Sequence, residues 1–471
     1  MIIMRKIALL ITFSIGLWSV LNAQWTSPGN GTTYTISDLA ATTDVVSFET
    51  GNYYIHGDLT ISANDTWIID NGFTKIFVEN ALITINGTMV CENANRVSIM
   101  GDPSFSMRFE NATGCEVKKM YFSDGAGIKV IESDVSFIDT KFLYFTRDYA
   151  NAVIDIMNCN PLIENCYFLL NKGAAISSPA NGQSSPRILN NHIEENVTDN
   201  YNSPQINLGP GAADTIFIVG NEIDGAYGTH RVGGISVADL MGTGSTKVVL
   251  KENYVINGRY GYNQQGMTIS SVIERNQFID NHHETNPMNG GSGIRIYGID
   301  ENNKAVLRGN IITGNLWGIT VINAADVDLG TEDDWGNNEI HDNGNGGVVY
   351  DLYNNTACDI MAVGNDWGTT DIQEIEEHIT HQYDDPSLGL VTFIPFVGYN
   401  AVNEKETTAF ELWPNPAQGR FTVEGTGKMT VINALGQTIL TKEINGKESI
   451  ELPRGLYFVK LGNAMRKIVM E

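Results

Sequence analysis

Between Asn165 and Asn365 apolar and polar residues alternate in short runs, and a run that ends in Asn and is followed by an apolar residue returns eight times. The copies are PLIENCYF, RILNNHI, FIVGNEI, VVLKENYVI, VIERNQF, VLRGNII, WGNNEI and MAVGNDW, anchored at Asn165, Asn191, Asn221, Asn253, Asn276, Asn310, Asn338 and Asn365. Seven intervals span 200 residues, a mean period close to 28.6. In several copies a second Asn follows five or six places on (Asn171, Asn196, Asn281, Asn315, Asn343). A Gly-led apolar run comes next: GAAIS, GGISV, GSGIRI, WGITV, GGVVY.

A fixed period of this size signals a stack of similar units. Three short strands and three turns need at least ~20 residues, so one period is one turn of a three-sided coil. Alternation along a strand puts Ile294 and Ile296 on the inner face and Arg295 and Tyr297 on the outer one. Equivalent positions then lie ~4.8 Å apart from coil to coil. An amide side chain both donates and accepts, so an Asn column at a turn can bond to its own copies above and below.

This pattern resembles the right-handed parallel β-helix of the pectate-lyase-like superfamily. The stretch GDLTI…TWIIDNG…ALITINGTMV is similar to the opening coils of that family, with Gly and Asn at turns. The expected fold is all-β, a three-sided right-handed parallel β-helix over residues 44–398, with residues 24–43 as an N-terminal cap that includes a short helix at 37–42. About thirteen coils give a rod ~60 Å long. After the last anchor, Asp371 and Glu374 have capping-box spacing and Ile372, Ile375 and Ile379 share a helical face. A helix at 371–381 is therefore expected to close the open end of the coil, which would otherwise recruit other chains. His378 and His381 on it are read as part of a solvated helix face rather than a metal site, since no third ligand has suitable spacing.

The first 23 residues carry Arg5 and Lys6, an apolar run from Ile7 to Val20 and a small residue, Ala23, before Gln24. This is the pattern of a signal peptide, too short in its apolar core for a membrane span. No other apolar run suits a transmembrane anchor. Residues 399–409 are polar and aperiodic and read as a linker.

Residues 410–471 hold short strands parted by Pro, Gly and Asn turns, the signature of a small β-sandwich. Pro414, Asn415, Pro416, Gly419 and Phe421, the turn Ala434-Leu435-Gly436-Gln437, the run from Gly455 through Tyr457 to Val459, and Lys467-Ile468-Val469 occur in fixed order. They resemble the type A sorting domain of the type IX secretion system of Bacteroidetes. Trp413 stands where that family usually has Tyr, and residues 424–428 are a short version of its second strand region. The resemblance implies passage across the outer membrane, attachment to the cell surface or release, and the secretion machinery as partner.

Composition narrows the partners. Lys and Arg number 29 against 55 Asp and Glu, a formal charge of −26. Nucleic acid is therefore not an expected partner, because its binding depends on cations that neutralise phosphates. Forty-eight glycines and 18% charged residues fit a turn-rich β protein. The five cysteines, Cys91, Cys115, Cys159, Cys166 and Cys358, are too scattered for a disulfide framework. Cys159 and Cys166 flank one strand, and either pair across a turn or serve as small buried hydrophobes.

Counted from the anchors, one turn is loaded with rings and cations in successive coils: Tyr227, His230 and Arg231, then Arg259, Tyr260 and Tyr262, then His282, His283 and Glu284, with Trp317 beyond. Rings stack on sugar faces and cations meet carboxylates or hydroxyls, so a polysaccharide-binding flank is one reading. The other is that long turns collect polar residues in any solenoid. For catalysis, many enzymes of the resembled fold are polysaccharide lyases or glycoside hydrolases. Uronate elimination needs a cation to neutralise the carboxylate and a base for the C5 proton. Arg295 or Arg231 would serve as the first and His282, His283 or Tyr260 as the second. The polygalacturonase-like signature is absent: the adjacent Asp pairs are Asp333-Asp334 and Asp384-Asp385, Gly-His-Gly does not occur, and only Arg295-Ile296 echoes the Arg-Ile-Lys motif. Asp326, Asp328, Asp333 and Asp334 offer hard oxygen ligands for Ca²⁺, although the same text also matches an inter-coil insertion of the resembled family. A purely structural or adhesive rod is the remaining alternative.

Overall fold

Buried and exposed residues resolve into three strands per coil, each paired in parallel with its counterparts one coil before and one coil after. The computed structural model describes residues 23–69, 72–91, 97–225, 230–242, 245–286, 290–399, 410–462 and 464–471. Two compact units divide the chain, residues 1–399 and 400–471. Of the expected signal segment only Ala23 is described, and Tyr227 and linker residues 400–409 also lie outside the described residues.

In the first unit one face is built from strands such as Ala174–Ser177, Pro204–Leu208, Gly233–Asp239, Tyr262–Gly266, Ser292–Gly298 and Trp317–Asn323. A second face is, among the described residues, a sheet of fourteen strands that includes Arg187–Leu189, Thr215–Val219 and Thr246–Lys251. The third includes His192–Glu194, Glu222–Asp224 and Tyr254–Ile256. Two long strands, Val97–Glu110 and Met120–Ile131, run from the third face onto the first and join them into one continuous sheet. The unit is a parallel β-helix.

The core follows from strict registry. On the first face Ile176, Ile206, Ile235, Tyr262, Ile294 and Ile319 pair in sequence and all are buried. On the third, the rings of Phe122, Phe142 and Phe168 stack with centroids 5.4 and 4.8 Å apart. Each fully buried side chain of this kind contributes about 1.5–3 kcal/mol. As expected from alternation, Ile294 and Ile296 are buried while Arg295 and Tyr297 point outward.

The Asn anchors form a continuous internal ladder from Asn191 to Asn365. Each Nδ2 donates to the Oδ1 of the next Asn at 2.8–3.0 Å. Each also donates to a strand carbonyl of the coil before, as Asn276 does to Leu250 O at 2.9 Å. Asn165 is not a member, and the expected first anchor is off by one residue. Cys166 occupies the ladder position there, its N–H donating to Asn191 Oδ1 at 2.9 Å. Asn165 instead begins a row of left-handed residues that turn the chain into the ladder: its φ is 53°, and Asn190, Glu252, Arg275 and Asn337 have φ of 54°, 56°, 53° and 50°. Adjacent Asn residues at 190 and 191 serve both purposes, so sequence spacing alone does not separate them.

The second Asn series is also stacked. Asn281 Nδ2 donates to Asn315, Asn315 to Asn343 and Asn343 to Asp351 at 3.1, 2.9 and 2.9 Å. The Gly-led run GGVVY breaks the pattern: Val348–Val349 pairs antiparallel with Gly344–Asn345 in a small hairpin, and the first-face strand of that coil is Leu352–Thr356.

Helices lie at both ends of this unit. The first, α1 (Ile36–Thr42), is opened by a capping box between Thr35 and Asp38 and buries Ile36 and Leu39. The second, α2 (Ile372–Glu377), is shorter than the expected 371–381. Asp371 caps it by accepting from Gln373 N at 2.9 Å, but Glu374 bonds Thr369 Oγ1 at 2.6 Å, so no capping box forms. Ile375 is buried, Ile372 is exposed, and Ile379 belongs to a two-residue strand paired with Leu352. His381 is not on a solvated face. It is buried, accepts from Val391 N at Nδ1 (2.9 Å) and donates from Nε2 to Glu376 (2.7 Å). His378 lies 3.3 Å from Asp351 Oδ2, where the second Asn ladder ends.

The described residues of the second unit form five antiparallel strands: Phe410–Trp413, Arg420–Asn433, Thr438–Glu451, Gly455–Leu461 and Ala464–Met470. The first and last approach each other, with Arg466 over the Phe410 ring at 5.9 Å and Ala417 bridging Met470. Phe410, Phe421, Val431, Ile444, Val459 and Ile468 share one core.

Candidate functional site

Outward positions of the first face pair as strictly as inward ones. Asn207, Ser236, Asn263, Arg295, Thr320 and Tyr353 form one row across six strands. That row floors an open cleft of about 700 Å³. Turn residues raise one wall, Asn202, Arg259 and Tyr260, while Trp317 closes the end toward Tyr353. Trp317 is itself held by rings, at 4.3 Å from Tyr350 and 5.5 Å from Tyr353.

Two glycines make the wall possible. A Cβ on Gly233 would lie 2.2 Å from the Tyr260 ring, so the ring rests flat on bare backbone. Gly290, with φ of +152°, leaves room for Arg259, whose Nε would be 2.8 Å from a Cβ there. Arg259 Nη1 donates to Asn202 Oδ1 at 2.6 Å, and Arg295 Nη1 to Asn263 Oδ1 at 2.7 Å. Asn263 donates in turn to Ser236 Oγ at 2.9 Å, which fixes the Arg295 fork from below.

Burial holds the Arg295 guanidinium below its ordinary value, and the charge of Arg259 adds to the effect, yet an arginine so placed stays charged. Burial also pushes the Tyr260 hydroxyl up to about 12, against the pull of both guanidinium groups. Among the described residues that line the cleft none is Asp, Glu, His or Lys. Two guanidinium groups thus stand in a hollow without acids among its described lining residues, in a chain whose formal charge is −26.

Arg259, Tyr260, Arg295 and Trp317 are brought together here; the other described candidates are not. Tyr262 points into the core, between Ile235 and Ile294, and donates to Gln264 Oε1 at 3.2 Å. One residue, Gly261, separates it from Tyr260, but it lies in the strand at an inward position whereas Tyr260 lies in the turn before. His230 and Arg231 are exposed and meet Asn200: His230 Nδ1 accepts from its Nδ2 at 3.3 Å, and Arg231 N donates to its Oδ1 at 3.0 Å. His282 donates from Nδ1 to Gly314 O at 2.8 Å. His283 is half-buried and its pKa is lowered, first by burial and then by His282, with Asp224 opposing. Glu284 accepts from Asn286 N at 3.0 Å. None of these five lines the cleft.

Three of the four Ca²⁺ candidates are taken by cations. Lys304 holds Asp326 at 2.9 Å, and Arg308 holds both Asp328 and Asp334 at 2.8 Å, while Asp333 is exposed. Among the described residues no group of three or more His, Cys, Asp or Glu side chains is gathered for a metal. All five cysteines are free, and Cys159 and Cys166 donate to Val130 O and Phe137 O at 3.3 and 3.4 Å instead of pairing.

Several sorting-motif residues have a structural task in the second unit. Asn415, between Pro414 and Pro416, clamps the last strand, donating to Lys467 O at 2.7 Å and accepting from Val469 N at 3.0 Å. Gly419 and Gly436 take φ of 72° and 74° at turns, and Gly455 lets the Tyr457 ring approach to 3.3 Å of where its Cβ would be. Residues 411–471 match the family described as the secretion system C-terminal sorting domain. The C-terminal unit is a type IX secretion sorting domain. The protein is accordingly exported to the cell surface or beyond it, and among the described residues no helix is long and apolar enough to cross a membrane.

Residues 243–372 of this exported chain, which include much of the cleft, match a protein family of unknown function, DUF1565. A comparison with curated protein sequences finds no match. Among solved structures, the periplasmic alginate epimerase AlgG is 13% identical over 77% of this chain and 83% of its own, with a TM-score of 0.43. A mannuronic acid specific polysaccharide family 6 lyase from human gut microbiota is 12% identical over 79% of this chain and 88% of its own, TM-score 0.35. A tailspike protein of E. coli bacteriophage HK620, in complex with a pentasaccharide, is 12% identical over 88% and 85%, TM-score 0.32.

Proposed function

We propose that the exported β-helix binds acidic, uronate-containing polysaccharide in the cleft on its first face. What carries the reading is the pairing of Arg259 and Arg295 in a hollow whose described lining residues include no carboxylate. Planar guanidinium groups meet carboxylates through two parallel hydrogen bonds, and partial burial strengthens such contacts. Asn202, Asn207, Asn263, Gln265 and Thr320 supply amides and hydroxyls for sugar hydroxyl groups, and Tyr260, Trp317 and Tyr353 supply ring surface.

Binding is better supported than turnover. Glycoside hydrolysis needs two carboxylates beside the bond, and none of the described residues lining the cleft is one. For elimination, Tyr260 is the base candidate that lines the cleft, and burial pushes its hydroxyl up to about 12, away from the range in which a general base works best. Calorimetric titration of the full chain with polyuronate and with a neutral glucan tests the proposal. Arg295→Gln should weaken polyuronate binding at least tenfold, and salt should weaken it further. Equal binding of both polymers, or an unaffected variant, would refute it.

A further inference from the structure

The outward row does not stop at the cleft. From Asn207 it continues backwards through Ser177 and Asp155 to Lys129. Six rungs separate Lys129 from Arg295, ~29 Å along the coil axis at ~4.8 Å per rung. Beside this stretch, Arg147 lies along the axis with its guanidinium 3.6 Å from the centroid of the Tyr201 ring. Gly173 clears its path, since a Cβ there would stand 3.1 Å from Arg147 Cγ. Tyr201 is fixed in turn, donating to Asn151 O at 3.2 Å and accepting from Ala174 N at 3.3 Å. Lys129 Nζ lies 4.3 Å from the centre of the Tyr149 ring.

Both cations are thus held by rings, and neither is in an ion pair with a described residue. Arg147 Nε is buried without a hydrogen-bond partner. The carboxylate in this stretch of the row, Asp155, is bonded by Ser177 Oγ at 2.7 Å; burial raises its pKa, with Ser177 and the charge of Lys129 opposing. Asn202, next to Tyr201 in the chain, already walls the cleft, so the two surfaces are continuous.

We infer that Arg147 and Lys129, backed by Tyr201 and Tyr149, form a second anionic subsite that takes further uronate residues of the chain seated in the cleft. The inference rests on the cleft reading and adds that the ligand runs parallel to the coil axis toward the N-terminal coils. Length dependence follows directly: a short acidic oligosaccharide reaches only the cleft, and a long one reaches both.

The test titrates the full chain, wild type and Arg147→Gln, with a short uronate oligosaccharide and with long polyuronate. The long ligand should bind the wild type more tightly, and Arg147→Gln should weaken it about tenfold while leaving the short one unchanged. Lys129→Gln, at an outward and half-buried strand position, should act in the same direction and carries the test if Arg147→Gln fails to fold. A variant that binds the long ligand as tightly as wild type overturns the inference, as does equal weakening at both lengths. A wild type that binds both lengths alike overturns the second subsite alone; one that binds neither overturns the cleft with it.

Discussion

Replacing Asn276 by Ala removes one rung from the internal ladder, and the coordinates say what is lost. Asn276 Oδ1 accepts from Asn253 N at 3.0 Å and Asn253 Nδ2 at 2.8 Å, and its Nδ2 donates to Leu250 O at 2.9 Å and Asn310 Oδ1 at 3.0 Å. Asn253 is buried, so its N–H and one amide hydrogen are orphaned where water does not reach. Each orphaned donor costs about 1–3 kcal/mol, which puts the whole change at about 2–5 kcal/mol. Coils in a stack unfold with limited cooperativity, so the loss should be read locally, by native-state hydrogen exchange in the strands Ile269–Glu274 and Gln277–Ile279. Asn165→Ala is the control. That residue looks like an anchor in the sequence but is exposed, and at φ of 53° its replacement costs about 1 kcal/mol of left-handed preference. Equal losses at the two positions would refute the ladder argument.

Three further outcomes are expected. Asp351 is held at about 6 in the folded chain, chiefly by burial, above its unfolded value near ~4. Its contribution to stability is therefore fullest below pH ~4 and is lost as pH rises through ~6; Asp351→Asn, which leaves a neutral side chain beside His378, should stabilise the C-terminal coils at neutral pH and flatten that dependence in pH-resolved unfolding, with no change if the account is wrong. Cys91 and Cys166, both pushed up to about 12 by burial, should resist thiol reagents until the chain is unfolded, whereas rapid native labelling would contradict their placement. Gly233→Ala should displace the Tyr260 ring and weaken polyuronate binding with little change in melting temperature; unaltered binding would show that the ring is not part of the wall.

The repeat was legible because the coil imposes one chemical demand, an amide at a buried corner, again and again. It was misread where two residues can meet that demand or none needs to. Cys166 fills the corner as a small buried group with a weak S–H donor, which the Asn count passed over. Tyr260 and Tyr262 look equivalent in a list of offsets, yet the strand begins between them and sends one to the surface and the other into the core. His381 reads as helical and exposed only if α2 runs its full expected length; once a strand starts at Ile379, its ring turns inward. The floor of the cleft was invisible from sequence for a related reason. Asn207, Ser236, Asn263 and Thr320 are ordinary polar residues, and only strand register, set across gaps of roughly thirty residues, lines them up with Arg295. Their one sequence signal is position: each follows directly after an inward Ile or Tyr of the repeat.

The most direct measurement is a crystal structure of the full chain with a uronate oligosaccharide. The account predicts sugar density in the cleft, carboxylates within hydrogen-bond reach of Arg259 and Arg295, and a sugar face against Trp317. An oligosaccharide bound elsewhere on the coil, with the cleft left to solvent, would contradict it.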